Sequence, residues 1–183
     1  ITTYTYDANG NQVSMTNANG NTTINFYDPL NRQIGSSFAD GTSTSATYSG
    51  CGVNRKTSET DQDGNTTSFV YDALGRLSRV TDALGGQTTY TYDDLGNRLT
   101  QTDPNGHTTR WAYDNMGRAT RRTLPLGMSE FFTYDASGNV LTKTDFNGDT
   151  TTYTYDVMNR LISKYYPNAS QVTYAYTPTG RMA

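Results

Sequence analysis

A 21-residue repeat anchored on a tyrosine runs through this 183-residue chain and constrains its fold more than any other feature. The anchor is the second Tyr of the opening motif TYTYD, and it recurs every 21 residues except for one interval of 23 residues. Asp follows the anchor in seven of the nine copies. The nine anchors are Tyr6, Tyr27, Tyr48, Tyr71, Tyr92, Tyr113, Tyr134, Tyr155 and Tyr176. Such a period is typical of repeat proteins, in which each copy packs only against its neighbours.

Two turn motifs in each repeat predict a series of β-hairpins. Gly or Asn stands four residues after each anchor, at Gly10, Asn31, Gly52, Gly75, Gly96, Gly117, Gly138, Asn159 and Gly180. Because Gly and Asn tolerate positive φ, we expect a type I turn with a G1 bulge, opened by the Asp after the anchor. A second turn of the same form recurs ten residues later, at Asn17–Gly20, Asp61–Gly64, Asp82–Gly85, Asp103–Gly106 and Asp145–Gly148. All five prolines fall on the second position of a predicted turn, where their fixed φ is favoured: Pro29, Pro104, Pro125, Pro167 and Pro178.

The segments between the turns predict strands of about five to seven residues. An aromatic residue two positions before most anchors, such as Tyr90 or Trp111, shares one strand face with the anchor, and Thr tends to occupy the other face. Nine repeats would supply about eighteen strands, whereas open sheets rarely exceed about ten strands without curling. We therefore predict an all-β fold of antiparallel β-hairpin repeats, coiled as a ribbon or solenoid with a thin core, in which residues 1–183 form a single array. Exposed strand edges at its ends would permit edge-to-edge self-association.

Composition excludes several classes of function. The net charge of −3 and the pI near 5.0 argue against a nucleic-acid partner, which needs a basic surface. No apolar run approaches the roughly 18 residues of a membrane span, and the sequence contains no basic-then-apolar stretch typical of a signal segment. The chain begins with Ile1, from which we expect a fragment of a longer protein, and its single cysteine, Cys51, cannot form an internal disulfide.

The repeat resembles a known family. The motif Tyr-Asp-x-x-Gly-Arg/Asn, followed by Thr-Asp-x-x-Gly and Thr-Thr-x-Tyr, is similar to the YD repeat of Rhs proteins, and its clearest copy covers Tyr71–Leu77, Thr81–Gly85 and Thr88–Tyr90. In that family, which includes bacterial Rhs and Tc toxins and animal teneurins, the repeats spiral into a hollow β-shell. The resemblance implies a shell segment of a secreted or cell-surface, toxin-associated protein. Its partners would be the flanking repeats and the core and toxin regions of the parent chain.

We predict a structural module, not an enzyme, with no catalytic residue, cofactor or metal site. The Asp61-Gln62-Asp63-Gly64 stretch differs from a calcium loop because its Gly comes at the fourth position instead of the sixth. His107 is expected at an exposed strand start and Cys51 in a loop bulge, and the Arg or Asn after each turn Gly is expected to pair weakly with a turn Asp. The candidate functional residues are those of the turns and the aromatic ladder: Tyr6, Asp7, Gly10, Tyr71, Asp72, Gly75, Tyr92, Asp93, Gly96, Tyr113, Asp114, Gly117, Tyr134, Asp135 and Gly138.

A carbohydrate- or cell-wall-binding array is the alternative hypothesis. Tyr-rich hairpin repeats of about this length also stack aromatic side chains on sugars, and Trp111 and Tyr90 would be the residues that contact a glycan. Against it, the chain has only one Trp, and nearly every aromatic residue already has a fixed position in the repeat.

Overall fold

The chain folds entirely into β-strands joined by short turns. The computed structural model describes residues 1–50, 54–177 and 179–182, which contain seventeen strands and an isolated bridge between Tyr176 and Met182 in place of the eighteenth strand. The strands are β1 (Thr3–Tyr6), β2 (Gln12–Thr16), β3 (Thr22–Tyr27), β4 (Gln33–Ser37), β5 (Ser43–Tyr48), β6 (Lys56–Thr60), β7 (Thr66–Tyr71), β8 (Leu77–Thr81), β9 (Gln87–Tyr92), β10 (Arg98–Thr102), β11 (Thr108–Tyr113), β12 (Ala119–Thr123), β13 (Ser129–Tyr134), β14 (Val140–Thr144), β15 (Thr150–Tyr155), β16 (Leu161–Tyr165) and β17 (Gln171–Thr173).

Each strand pairs with the next one along the chain, and every pair with a defined register is antiparallel. The result is an open sheet in chain order, built from the hairpins that the repeat predicts. This confirms the all-β, antiparallel fold class. Two compact units can be distinguished, Ile1–Thr89 and Tyr90–Ala183, and both contain the same two-strand repeat.

The strand register shifts at the anchor tyrosine of each repeat. In the first hairpin, Thr5 pairs with Ser14 but Tyr6 pairs with Gln12, so Val13 is an extra residue on the second strand. The same shift occurs beside Tyr48, Tyr113 and the other anchors whose register is defined. A bulge of this kind disrupts the ladder locally and increases the right-handed twist.

The turns have the geometry that their sequence predicts. In the first turn, the N–H of Gly10 donates to the carbonyl of Asp7 (3.1 Å), and the N–H of Asp7 donates to the carbonyl of Asn11 (2.9 Å). The fourth turn residue has positive φ; it is usually Gly, but Asn31 (φ 60°), Asn159 (φ 59°) and Ala169 (φ 63°) also take this conformation. Cys51, Gly52 and Pro178, which also carried predictions, lie outside the described residues.

The sheet has very little core. Within the residues that the structure describes, no hydrophobic side chain is buried, and the two buried residues, Ser36 and Glu130, are polar. Thr and Ser side chains instead form hydrogen-bonded cross-strand pairs, such as Thr133 with Thr142 (2.7 Å) and Thr144 with Thr150 (2.8 Å). In the described part of the chain, no helix has the length and apolar character needed to cross a bilayer. Stability therefore comes from contacts between adjacent strands and turns.

Replacing Gly96 with Val is expected to lower the free energy of unfolding by about 1–3 kcal/mol. Gly96 has φ of 91°, and an added Cβ would meet no atom within 4 Å, so the cost comes from backbone strain and not from a clash. Chemical denaturation measures the change. Gly96→Asn is the control, because Asn31 and Asn159 already adopt positive φ, and it should cost clearly less. Equal losses in both variants would contradict the assigned turn geometry.

Candidate functional site

The hydroxyl of the anchor tyrosine links each repeat to the one before it. Tyr134 donates a hydrogen bond to the carbonyl of Ala119 (2.7 Å), and Tyr113 donates to that of Arg98 (2.9 Å). The acceptor always lies 15 residues upstream and is the first residue of the second strand of the preceding repeat, next to the bulge. The same bond is made by Tyr27, Tyr48, Tyr71, Tyr155 and Tyr176. The anchor is therefore an inter-repeat connector as well as an aromatic residue.

The aspartate after the anchor fixes the turn. One carboxylate oxygen of Asp114 accepts the N–H groups of Met116 (2.9 Å) and Arg118 (2.9 Å), and the other accepts Nε of Arg118 (2.7 Å). Asp7 makes the equivalent bonds to the N–H groups of Asn9 and Asn11. An Asp at this position thus satisfies two backbone donors of the turn and orients the side chain that follows the positive-φ residue.

The arginine after the turn extends the link to the next repeat. The Arg118 guanidinium lies over the Tyr134 ring at 4.7 Å from its centre and donates Nη1 to the carbonyl of Asp135 (2.9 Å). Arg32 stacks on Tyr48 at 4.6 Å, and Arg160 on Tyr176 at 4.7 Å. The sequence alone predicts only weak, solvated pairing of these arginines with a turn Asp. The Asp114–Arg118 side chains are instead about 25% exposed, so stacking on the next tyrosine shields the pair from water.

Asparagine makes a different link where it replaces arginine. Nδ2 of Asn139 donates to Asp135 (2.8 Å) and to Oδ1 of Asn159 in the next turn (2.9 Å). Asn11 makes the same pair of bonds, to Asp7 (2.8 Å) and Asn31 (2.9 Å). Both residue types therefore connect successive turns, and the sequence uses either one at this position.

The third repeat retains this arrangement despite its longer turn. The N–H of Ser49 donates to the carbonyl of Arg55 (2.9 Å), as the first turn residue does elsewhere to the fifth. Arg55 therefore holds the position of the turn arginine, and its guanidinium lies 5.7 Å from the centre of the Tyr71 ring and beside Gly75. The fixed spacing from the anchor does not predict this role for Arg55, because two inserted residues separate Arg55 from Tyr48 more widely than in the other repeats.

These contacts shift the ionisation of the groups involved. The backbone N–H of Arg118 is the main cause of the lowered pKa of Asp114, and the Asn139 side chain is the main cause at Asp135. Burial raises the pKa of Tyr113 and Tyr134. At neutral pH the aspartates therefore remain charged acceptors and the tyrosines remain protonated donors.

A buried carboxylate lies elsewhere on the sheet and was not anticipated. The Glu130 side chain is 8% exposed, with Oε1 2.7 Å from Nε of Arg122 and Oε2 3.4 Å from Nζ of Lys143. Arg122 also stacks on Phe146 at 5.1 Å. Glu130 stands where seven of the other eight repeats have Thr. Its pairing with two cations offsets the cost of burying its charge.

The other predicted residues have the following positions. Tyr6 lies on β1 and is exposed, and Asp72 repeats the contacts of Asp114 with Arg76. Tyr92 lies on β9, and Asp93 accepts from Asn97. The fourth turn residues all have positive φ: Gly10, Gly75, Gly96, Gly117 and Gly138.

The residues considered as candidates for glycan or metal binding contact other side chains of the protein. The Arg98 guanidinium lies 4.1 Å from the ring centre of Trp111 and 6.0 Å from that of Tyr90, and so covers a face of the Trp ring. His107 is exposed beside Asp103, with Nδ1 3.1 Å from the carboxylate. Among the described residues, no three His, Cys, Asp or Glu side chains are grouped closely enough to hold a metal ion.

Comparison with known families and structures gives consistent matches. The model of the teneurin YD-shell family matches residues 41–183, and the model of the RHS repeat matches residues 1–22. A comparison with curated protein sequences gives no match. The crystal structure of TcdB2-TccC3-TEV covers 99% of this chain at 20% identity with a TM-score of 0.74, and that of TcdB2-TccC3 covers 99% at 19% identity with a TM-score of 0.73.

A structure of the Photorhabdus luminescens Tc holotoxin pore is also similar, covering 99% of this chain at 19% identity with a TM-score of 0.53. The chain spans only 11–12% of the length of these three structures. At such identities the likeness establishes a shared fold for the repeat array.

Proposed function

The chain belongs to the teneurin YD-shell family, and we propose from this that it forms part of the wall of an encapsulating shell in a longer Rhs-type protein. In this proposal residues 1–183 are one continuous array, and the ribbon coils with the flanking repeats around an enclosed space. The parent is secreted or surface-exposed and associated with a toxin, by analogy with the Tc toxin structures of the same fold.

The links between successive turns are the observation that carries this proposal. Tyr134, Asp114 and Arg118 bind one repeat to the next, and equivalent contacts recur along each unit. A wall must resist separation of its repeats without a central core, and contacts of this type supply that resistance. These residues have structural roles, and the matched families consist of shell repeats, which favours a non-enzymatic function.

Electron cryo-microscopy of the parent protein tests the proposal. We expect a β-sheet wall that contains this segment and encloses a cavity large enough for a polypeptide domain. Limited proteolysis gives an independent readout, because an enclosed segment should resist cleavage until the shell is opened by heat. The shell function would be refuted if the repeats of the parent packed around a filled interior. It would also be refuted if protease cleaved all the remaining segments of the parent without heating.

A further inference from the structure

The aromatic row on one face of the sheet is interrupted twice, in consecutive repeats of the unit Ile1–Thr89. Seven of the nine repeats carry Tyr, Phe or Trp two positions before the anchor, and the exceptions are Asn25 and Ala46. The residue at this position shares a strand face with the anchor, because side chains two positions apart point to the same side. The surroundings of the two exceptions differ.

At Asn25, hydrogen-bonded polar side chains take the place of the ring. Oδ1 of Asn25 accepts Oγ of Ser36 (2.8 Å) and Nε2 of Gln33 (3.2 Å). Nδ2 of Asn25 donates to the carbonyl of Gln12 (2.9 Å), and Ser36 is only 6% exposed. These contacts fill the position without a ring.

At Ala46, a cavity lies where other repeats have the ring. Its volume is about 400 Å³, within the range of ligand-binding pockets. The hydroxyl of Tyr48 still donates to the carbonyl of Gln33 (3.0 Å), so the link to the preceding repeat is retained. Only the ring is missing from an otherwise complete repeat. Around Ala46, the cavity is lined by Gln33, Thr44, Tyr48, Lys56, Glu59 and Thr67.

The residue opposite Ala46 is a carboxylate. Glu59 pairs with Ala46 across β5 and β6. In the repeat of Phe132 the corresponding residue is Lys143, whose Nζ lies 5.5 Å from the ring centre. Oε2 of Glu59 accepts Nζ of Lys56 (2.8 Å), while Oε1 has no hydrogen-bond partner among the residues that the structure describes. This carboxylate favours a ring that carries an N–H or O–H donor, since hydrogen bonds to a charged acceptor are the stronger ones.

We propose that the Ala46 cavity binds the side chain of a tryptophan or tyrosine from another polypeptide segment. The bound ring takes the place that the chain's own ring has in seven repeats, and its N–H or O–H group donates to Glu59. A cavity left by a missing side chain binds a molecule that resembles that side chain. A polypeptide is the favoured source because the row is itself built from Tyr, Phe and Trp side chains. This inference does not depend on whether the parent encloses a space.

Titration of the 183-residue chain with blocked amino-acid amides, followed by nuclear magnetic resonance, tests the proposal. N-acetyl-tryptophanamide should shift the signals of Ala46, Tyr48 and Glu59. Its Kd should be about fivefold lower than that of N-acetyl-phenylalaninamide, whose ring has no donor. The proposal would be overturned if these signals did not shift, or if the two amides bound equally. Tighter binding of free indole than of the tryptophan amide would overturn the assignment of a polypeptide as the source.

Two variants that add the same ring to opposite faces of β5 separate the cavity from the rest of the sheet. Ala46→Phe supplies the ring that Phe69 supplies in the next repeat, and should weaken binding of the tryptophan amide about tenfold or more. Thr47→Phe adds a ring to the other face, as Phe26 does in the preceding repeat, and should leave binding unchanged. Equal effects of the two variants would contradict binding in the cavity.

Thermal melting of the Ala46→Phe chain provides an independent readout. The ring fits this position in seven repeats, so the variant should melt at or above the temperature of the unaltered chain. A lower melting temperature would show that the cavity does not have the shape of the missing ring.

Glu59→Gln tests the proposed hydrogen bond. The variant keeps an acceptor of similar shape but removes its charge, so the preference for the tryptophan amide over the phenylalanine amide should decrease. An unchanged preference would overturn the role of Glu59 as the acceptor.

Discussion

Replacing Tyr134 with Ala is expected to lower the free energy of unfolding by about 2–3 kcal/mol. The substitution removes the hydroxyl bond to the carbonyl of Ala119 and the ring on which Arg118 stacks at 4.7 Å. Full truncation of a core aromatic costs about 3–5 kcal/mol, and the Tyr134 ring is only partly buried, so a smaller loss is expected. Urea denaturation followed by circular dichroism measures it.

Two further variants identify which part of Tyr134 matters. Tyr134→Phe keeps the ring and removes only the hydroxyl, so it should cost about 1 kcal/mol. Thr133→Ala alters the adjacent residue on the opposite, exposed face, where its hydroxyl pairs with Thr142, and should cost less than Tyr134→Phe. If Tyr134→Ala were no more damaging than Thr133→Ala, the inter-repeat link would contribute nothing to stability.

Removal of one link between repeats should have a local effect on the structure. A chain without a buried hydrophobic residue in its described part has no shared core that could spread the effect of one substitution. Each repeat is stabilised by its own turn and by the adjacent repeat, as in other quasi-one-dimensional proteins. Hydrogen exchange should therefore show loss of protection concentrated around Ala119 and Arg118, the partners of Tyr134.

Much of this fold could be predicted from the sequence because its turns depend on local chemistry. Asp114 and Gly117 are the kinds of residue that a type I turn with a positive-φ exit requires, and 21-residue spacing then places the strands. Ala169 shows the limit of this reasoning. It adopts positive φ in a turn of the same form without being Gly or Asn, and only the preceding Pro167-Asn168 marks the turn.

The links between repeats could not be predicted in the same way. A period places neighbours side by side, but it does not specify that the Tyr134 hydroxyl meets the carbonyl of Ala119, since that depends on the bulge and on strand twist. Burial of Glu130 is likewise a property of packing. Arg122 and Lys143 both reach the Glu130 carboxylate only because β12, β13 and β14 pair in the observed register. The sequence does not specify that register in enough detail to predict this contact.

Acidification below about pH 4 is expected to destabilise the chain steeply, while stability changes little between about pH 7 and pH 5. Hydrogen bonds from side chains and from turn N–H groups lower the pKa of ten aspartates, as at Asp7 and Asp114. The others are Asp28, Asp40, Asp61, Asp72, Asp93, Asp103, Asp135 and Asp156.

A folded-state pKa below the unfolded value means that the unfolded chain binds more protons as the pH falls. The stabilisation is therefore present above the unfolded pKa of about 3.9 and is lost as the pH falls through the folded values. Urea midpoints at pH 7, 5, 4 and 3 measure this loss.

An asparagine variant tests whether turn aspartates cause the acid sensitivity. Asp61 accepts the N–H groups of Asp63 (2.9 Å) and Asn65 (2.9 Å), and Asn17 makes the same two bonds in the first repeat, to Asn19 (2.9 Å) and Asn21 (3.1 Å). Asp61→Asn therefore keeps the turn but removes its titration, because an amide does not ionise. Between pH 5 and pH 3 the variant should lose less stability than the unaltered chain, so that the difference between their urea midpoints shifts in favour of the variant. Identical losses in both chains would place the origin of the acid sensitivity outside this turn aspartate.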